Sequence, residues 1–315
     1  GLQAVKSDTG SYVLKPVPSA SVGVLKAVKV TAEADRTNSY TAEVASIVRG
    51  TDSLKEVPQS VTVITSKLIE DQNLITMSDA MNKTPGIVAT VDGLGNSEFR
   101  SRGFIIDNYQ VDNLGTSYTS TYRPDFDLAI YDRVEVLRGA DGLFSAAGEP
   151  GGTVNLARKR PTDELRTSVS LAYGSWDNSR IEADVGGAIA FDGKLRGRVV
   201  GVWQDREFFY SPADEEKKVI YGILEYDLTS STKISGGISQ QHSDGLTWMS
   251  GLPTYLDGSQ LGLPRDVALT VDWANRDTTI RETFFTAEHT FNQNWSAKLS
   301  AMKQRYDFDY THLSV

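Results

Sequence analysis

The sequence predicts a compact α+β domain followed by a long antiparallel β array, and three observations predict it. Residues 130–161 (IYDRVEVLRGADGLFSAAGEPGGTVNLARKRP) read as a strand, a glycine-rich turn region and a second strand, closed by a basic Arg-Lys-Arg-Pro exit. From Glu164 onward apolar and polar residues alternate with period two, the pattern of half-buried strands. Between Leu54 and Gly86, by contrast, helix caps and a Pro-Gly stop punctuate a short mixed segment.

Composition excludes several classes. The chain has 315 residues, enough for two or three domains. It starts at Gly1 with no initiator Met and no signal peptide, so an N-terminal portion is expected to precede it. The absence of cysteine rules out disulfides and Cys-based metal sites. A net charge of −9, with no basic cluster beyond Arg158-Lys159-Arg160, argues against a nucleic-acid partner. No run approaches the ~18 consecutive apolar residues of a transmembrane helix, whereas transmembrane β-strands give no such run. His242, His289 and His312 have no ligand spacing, so no metal site and no catalytic constellation is expected. Gly139, Gly142, Gly148 and Gly151-Gly152 follow a strand and invite a nucleotide-binding reading. No G-K-[ST] follows them, and Gly148-Glu149-Pro150-Gly151 breaks any helix that would hold phosphate.

In chain order, residues 1–17 predict a hairpin, with Leu2-Ala4-Val5 and Val13-Leu14 flanking the turn Asp8-Thr9-Gly10. Residues 18–53 are rich in Ser, Ala, Thr and Val and read as a linker holding one short apolar patch, LKAVKVTA, from Leu25 to Ala32. The first domain spans residues 54–161. Ser60 to Thr65 alternates β-branched residues and predicts a strand. Ser66 is expected to cap a short helix through Gln72, and Thr76 with Asp79 forms a capping-box start for a second. Thr84-Pro85-Gly86 ends that helix, and two short strands follow, at Phe99 to Ile105 and Tyr109 to Leu114.

The array spans residues 162–315 and predicts strands at 165–173, 180–189, 194–205, 218–228, 231–242, 279–290 and 294–308. That is roughly seven strands of about ten residues or more, the length of a tilted bilayer-spanning strand. Phe284, Phe285, Trp295, Tyr306 and Phe308 are expected at the lipid interfaces, and a long segment from Ser243 to Asp277 separates two strands. Short turns on one side and long loops on the other match an outer-membrane barrel. Seven strands cannot close around a domain of this size, and lipid does not tolerate an open sheet edge, so further strands are expected beyond Val315.

These pieces together resemble the TonB-dependent outer-membrane ferric-siderophore receptors. The motifs stand in family order: EVPQSVTVIT (Glu56 to Thr65), TPGI (Thr84 to Ile87), Arg102-Gly103-Phe104, and the run from Tyr131 to Pro161. The stretch FRSRGFIIDNYQVD (Phe99 to Asp112) and the segment Gly251-Leu252-Pro253 through Asp257-Gly258 are similar to the hydroxamate and pyoverdine branch. The resemblance implies an α+β plug inside a transmembrane barrel of about 22 strands. It implies a cell outer-membrane location in a Gram-negative bacterium, with outer-membrane lipid around the barrel and the plug and N-terminal segment facing the periplasm. It further implies high-affinity uptake of a ferric siderophore, energised by TonB and its inner-membrane proton-driven motor. No cofactor is expected, because iron arrives inside the chelate. Residues 1–17 resemble the end of a periplasmic signalling domain, which adds an inner-membrane anti-sigma regulator as an expected partner. Which siderophore is taken stays open, and receptors for cobalamin or glycan, or a secreted β-rich adhesin, remain the alternatives.

Site residues carry over by position. Val28, Lys29, Val30, Thr31 and Ala32 match the TonB box, an extended peptide able to add as a strand to a sheet edge, although alone they read as linker. Arg102 and Arg138 are the plug arginines that the family pairs with barrel glutamates; the alternative is that they brace the plug's own strands. Ligand contacts are expected from Arg100, Tyr118, Tyr122 and Phe144 at the plug apices and from Trp203, Trp248 and Trp273 on the wall and loops. One departure is Asp112-Asn113-Leu114, where the family commonly has Asp-Gly before Ile-Pro or Val-Pro. Asn tolerates positive φ, so the turn is expected to survive.

Overall fold

The computed structural model describes residues 2–6, 12–16, 39–48, 53–91, 96–116, 124–140, 150–246, 252–268 and 270–311. Strands β1 (Leu2–Lys6) and β2 (Tyr12–Pro16) pair antiparallel as the hairpin the sequence predicts.

The α+β domain begins with a 3-10 turn at Leu54–Glu56, β3 (Ser60–Ile64), α1 (Ser66–Asp71) and α2 (Met77–Asn82). Thr65, one residue before the predicted Ser66, caps α1: its Oγ1 accepts from Leu68 N at 3.3 Å. Helix α2 carries the predicted capping box between Thr76 and Asp79. The chain then turns through Gly86 at φ +77°. Next come β4 (Ile87–Val91), β5 (Ser97–Ser101), β6 (Phe104–Ile105), β7 (Asn108–Val111) and β8 (Leu114–Gly115). Strand β4 had no sequence expectation, because it starts directly after the Pro-Gly stop. The run read as one strand from Phe99 to Ile105 is a hairpin, bent where Arg102 and Gly103 take φ +53° and +86°. Asp112 and Asn113 likewise take φ +50° and +64°, so the turn survives without glycine.

A second 3-10 turn (Leu128–Ile130) leads into β9 (Tyr131–Arg138) and β10 (Gly152–Arg158). The main sheet of this domain has the order β3-β9-β10-β7-β8, with β10 parallel to β7 and its other pairs antiparallel. Gly152 lies at φ +123°, and a Cβ there would meet Leu137 O at 2.1 Å, so only glycine lets β10 close on β9.

The array is a seven-stranded meander: β11 (Arg166–Tyr173), β12 (Ser179–Ala190), β13 (Leu195–Glu207), β14 (Asp214–Thr229), β15 (Thr232–Gly245), β16 (Asn275–Thr290) and β17 (Ser296–Thr311). All seven predicted strands form, and β14 and β16 start at Asp214 and Asn275 rather than at 218 and 279. Residues 191–194, 230–231 and 291–295 make the turns at one end; residues 174–178, 208–213 and 246–274 connect the strands at the other.

Alternation gives the sheet two different faces. Leu171, Ile181, Val199, Ile220, Ile238 and Leu299 cover the outer one and are exposed. Val200, Val202, Val219, Tyr221, Ile223, Ile280 and Phe284 are buried on the inner one, in a single core with Val134, Val136, Val154 and Leu156 of the small domain. Phe284, expected at a lipid interface, is therefore a core residue, and Tyr306 packs against that same core. Phe285 and Trp295 remain exposed. The small domain thus sits against the inner wall of the array.

Candidate functional site: the seam between the small domain and the wall

The basic exit after β10 stitches the domain to three different wall strands. Arg158 donates to Glu282 of β16 at 2.5 Å, Lys159 to Asp184 of β12 at 2.9 Å, and Arg160 to Glu225 of β14 at 3.1 Å. All three carboxylates stand at inward positions of their strands. Sequence reasoning noted the cations at 158–160 but not this role. The available signal was acidic residues at inward-alternating positions downstream.

Arg158 is the most enclosed of the three. Its guanidinium also donates to Asp112 at 2.7 Å and lies 4.2 Å from the centre of the Phe284 ring. Burial disfavours the Asp112 carboxylate, but the Arg158 guanidinium and backbone N–H outweigh that and hold its pKa below the usual aspartate range. A second stitch runs the other way. Asp127, fully buried in the domain, takes a bidentate pair from Arg180 of β12 at 2.7 and 2.9 Å. Asp127 also caps the 3-10 turn through Ala129 N, while its own N–H donates to Gln241 of β15. Charges removed from water hold only with such full partnering, and removal of either partner would leave a buried charge unpaired.

Toward the long-loop end, Arg276 of β16 donates to Asn96, just before β5, at 2.8 Å. This ties the start of β5 to the wall; Trp273, three residues before Arg276, is exposed at the foot of the long loop. A polar cavity of about 590 Å³ lies between α2, β5 and the wall, lined by Ser78, Asp125, Asn178, Gln204, Arg206 and Lys217 among others. Burial pushes the Asp125 carboxyl above its usual range, against the pull of Lys217 across the cavity.

The sequence-predicted site residues divide into three groups. Val28, Lys29, Val30, Thr31, Ala32, Tyr118, Tyr122, Phe144 and Trp248 lie outside the described residues. Arg100 lies on β5 and pairs with Glu98 at 2.6 Å, and Trp273 is exposed in the connection between β15 and β16. Trp203 is a correction. It stands at an outward position of β13 opposite Ile181, because the period-two pleat sends Val202 and Gln204 inward and Trp203 to the lipid side. Arg138 donates to Pro85 O at 2.5 Å and to Ser60 Oγ inside the domain, and Arg102 lies beside Gly139. Among the described residues neither pairs with a carboxylate. Among the described residues, the ion pairs that join domain and wall are those of Arg158, Lys159, Arg160 and Arg180.

Comparison with known proteins gives this architecture a family. Residues 53–153 match the family model described as TonB-dependent Receptor Plug Domain. The chain is 40% identical over 293 residues to the ferric-pyoverdine M114 receptor of Pseudomonas sp. (strain M114), covering 91% of this chain and 36% of that protein. It is 37% identical over 272 residues to the ferripyoverdine receptor of Pseudomonas aeruginosa, covering 83% of this chain and 33% of that one. The crystal structure of the ferripyoverdine receptor of the outer membrane of Pseudomonas aeruginosa bound to ferripyoverdine superposes with a TM-score of 0.83 at 31% identity, covering 99% of this chain and 41% of that one. The chain thus spans about a third of the length of the curated relatives it matches.

Proposed function

This chain belongs to the TonB-dependent receptors, a family of outer-membrane transport receptors, and from that premise we propose that its whole protein takes up a ferric siderophore of pyoverdine or related hydroxamate type. The observation that carries the reading is the plug seated on the inner wall by buried ion pairs, in a chain 40% identical to a ferric-pyoverdine receptor. The iron is cargo inside the chelate rather than a resident cofactor.

In this reading the chelate lands at the long-loop end, where Arg100 and Trp273 offer a hydrogen-bond donor and an aromatic face, joined by Tyr118, Tyr122, Phe144 and Trp248. TonB pairs with Val28 to Ala32 as an added strand and pulls from the periplasmic side. Arg102 and Arg138 reach glutamates on barrel strands beyond these seven. Residues 1–17 would belong to a signalling domain that contacts an anti-sigma regulator.

The test is tryptophan-fluorescence titration of the full-length receptor in detergent with ferric pyoverdines, ferrioxamine, coprogen, a ferric catecholate and cobalamin. Saturable quenching by one hydroxamate-containing chelate, weakened in Arg100→Ala, supports transport and the apex assignment. Binding of cobalamin or an oligosaccharide with no response to any iron chelate keeps the architecture and overturns the siderophore reading.

A further inference from the structure

The plug sheet has a second covered face, and among the described residues no wall residue belongs to its core. Val134 and Val136 of β9 point into the core shared with the wall, whereas Glu135 and Leu137 point the other way. On that side Leu137 is fully buried among Ala45, Ile47, Val48 and Val57. Among the described residues the cover is therefore 45–48 and 54–57, of which 45–48 fall in the stretch that reads from sequence as linker.

Within this cover a single carboxylate receives most of the polar contacts. Glu135 is fully buried. Its Oε1 accepts from Ser46 N at 2.9 Å and its Oε2 from Ile47 N at 2.7 Å. Ser46 Oγ donates to the same carboxylate at 2.9 Å. Two further donors come from the sheet: Arg133 Nε at 2.7 Å and Asn155 Nδ2 at 3.0 Å. The remaining holds lie upstream and are more exposed. Thr65 Oγ1 donates to Ser39 O at 2.8 Å, and the Tyr40 hydroxyl bonds Asp71.

We propose that Glu135 is a positioning residue for energised transport: it is the catch through which a pull on the cover, arriving from the linker, is passed into the plug sheet. The proposal deepens the transport reading and rests on it. A pull from the N-terminal side loads the contacts of Ser39 and Tyr40 first and the amides of Ser46 and Ile47 next. Those amides bond to β9, which is paired on both edges by β3 and β10, so the load enters the sheet rather than a free edge. When the cover leaves, Arg133 and Asn155 still satisfy the carboxylate. The sheet can therefore release the cover without stranding a bare buried charge, which makes the catch reversible. Leu137 of β9, with Val61 and Val63 of β3, by contrast, loses its cover and favours its return.

Glu135→Gln keeps the shape but puts an NH₂ group opposite at least one backbone N–H, so donor meets donor. Ser46→Ala removes only the hydroxyl bonds. In the full-length receptor, hydrogen exchange at residues 45–48 should rise about tenfold or more in Glu135→Gln and less in Ser46→Ala. Exchange at residues 127–131 on the wall seam should not change. Binding of ferric pyoverdine should stay the same while cells take up radio-iron-labelled ferric pyoverdine several-fold more slowly. Unchanged exchange at 45–48, or an equal rise at 127–131, overturns the catch. If Glu135→Gln does not fold, exchange in Ser46→Ala decides in the same way. If the wild-type receptor takes up no ferric chelate, the transport reading fails, and the exchange data still judge whether Glu135 holds the cover.

Discussion

The two faces of the plug sheet are held in opposite ways. The wall face is fixed by the ion pairs of Arg158, Lys159, Arg160 and Arg180, which join the plug to three wall strands, β12, β14 and β16, over a large apolar core. The other face is held by one short piece of chain, one carboxylate and a five-residue apolar cluster. A seam that engages many strands at once must break all together, whereas a strip tied at successive points can be peeled one point at a time. The fold thus separates a fixed attachment from a removable one on a single sheet.

That contrast can be broken or sharpened by experiment, starting at the wall. Asp127→Ala leaves Arg180 buried without its bidentate partner and should destabilise the plug of the full receptor by about 3–5 kcal/mol. Denaturant-dependent hydrogen exchange at residues 127–131 measures this, and a loss near zero would show that the seam rests on apolar packing alone. Glu282→Ala leaves Arg158 with Asp112 and the Phe284 ring and should cost about 1.5–3 kcal/mol by the same readout. On the removable face, Ile47→Ala should cost about 2 kcal/mol, at the low end for such truncations because the cluster is small. The signal should be confined to residues 39–57, and spread to the wall seam would mean the two faces are one cooperative unit. Thr76→Ala keeps the backbone bridge of residue 76 to Asp127 and removes only the cap of α2, so it should cost about 1 kcal/mol. An effect as large as that of Asp127→Ala would contradict the ranking.

The smallest effect is in pH. Asp112 has a pKa held below the ordinary aspartate value by Arg158. Its contribution is complete above the unfolded value of about 3.9 and is lost as pH falls through the lower folded value. Acid titration of near-UV circular dichroism should show this component, and Asp112→Asn should lack it. Identical acid curves for the two proteins would remove Asp112 from the seam.

Much of the fold was legible because its signals are local. The seven wall strands follow from period-two alternation, α2 from Thr76 and Asp79, and the β7–β8 turn from residues that tolerate positive φ. The errors are local too. Thr65 and Ser66 are both competent caps, and only backbone geometry chooses between them. Arg102-Gly103 looks like part of a strand until its φ values bend it into a hairpin. Trp203 was placed in the ligand site by residue type alone, whereas the pleat turns it to the lipid side.

The sequence by itself determined the order of elements, the two-faced strands and the family motifs, because each depends on residues close together along the chain. Only the tertiary structure decided which arginines meet which carboxylates and that Glu135 faces the incoming segment rather than the wall. Ser46 and Glu135 are 89 residues apart, and Arg158 and Glu282 are 124 apart. An ion pair or a catch is fixed by where packing brings two chains together, and spacing along one chain carries no record of that.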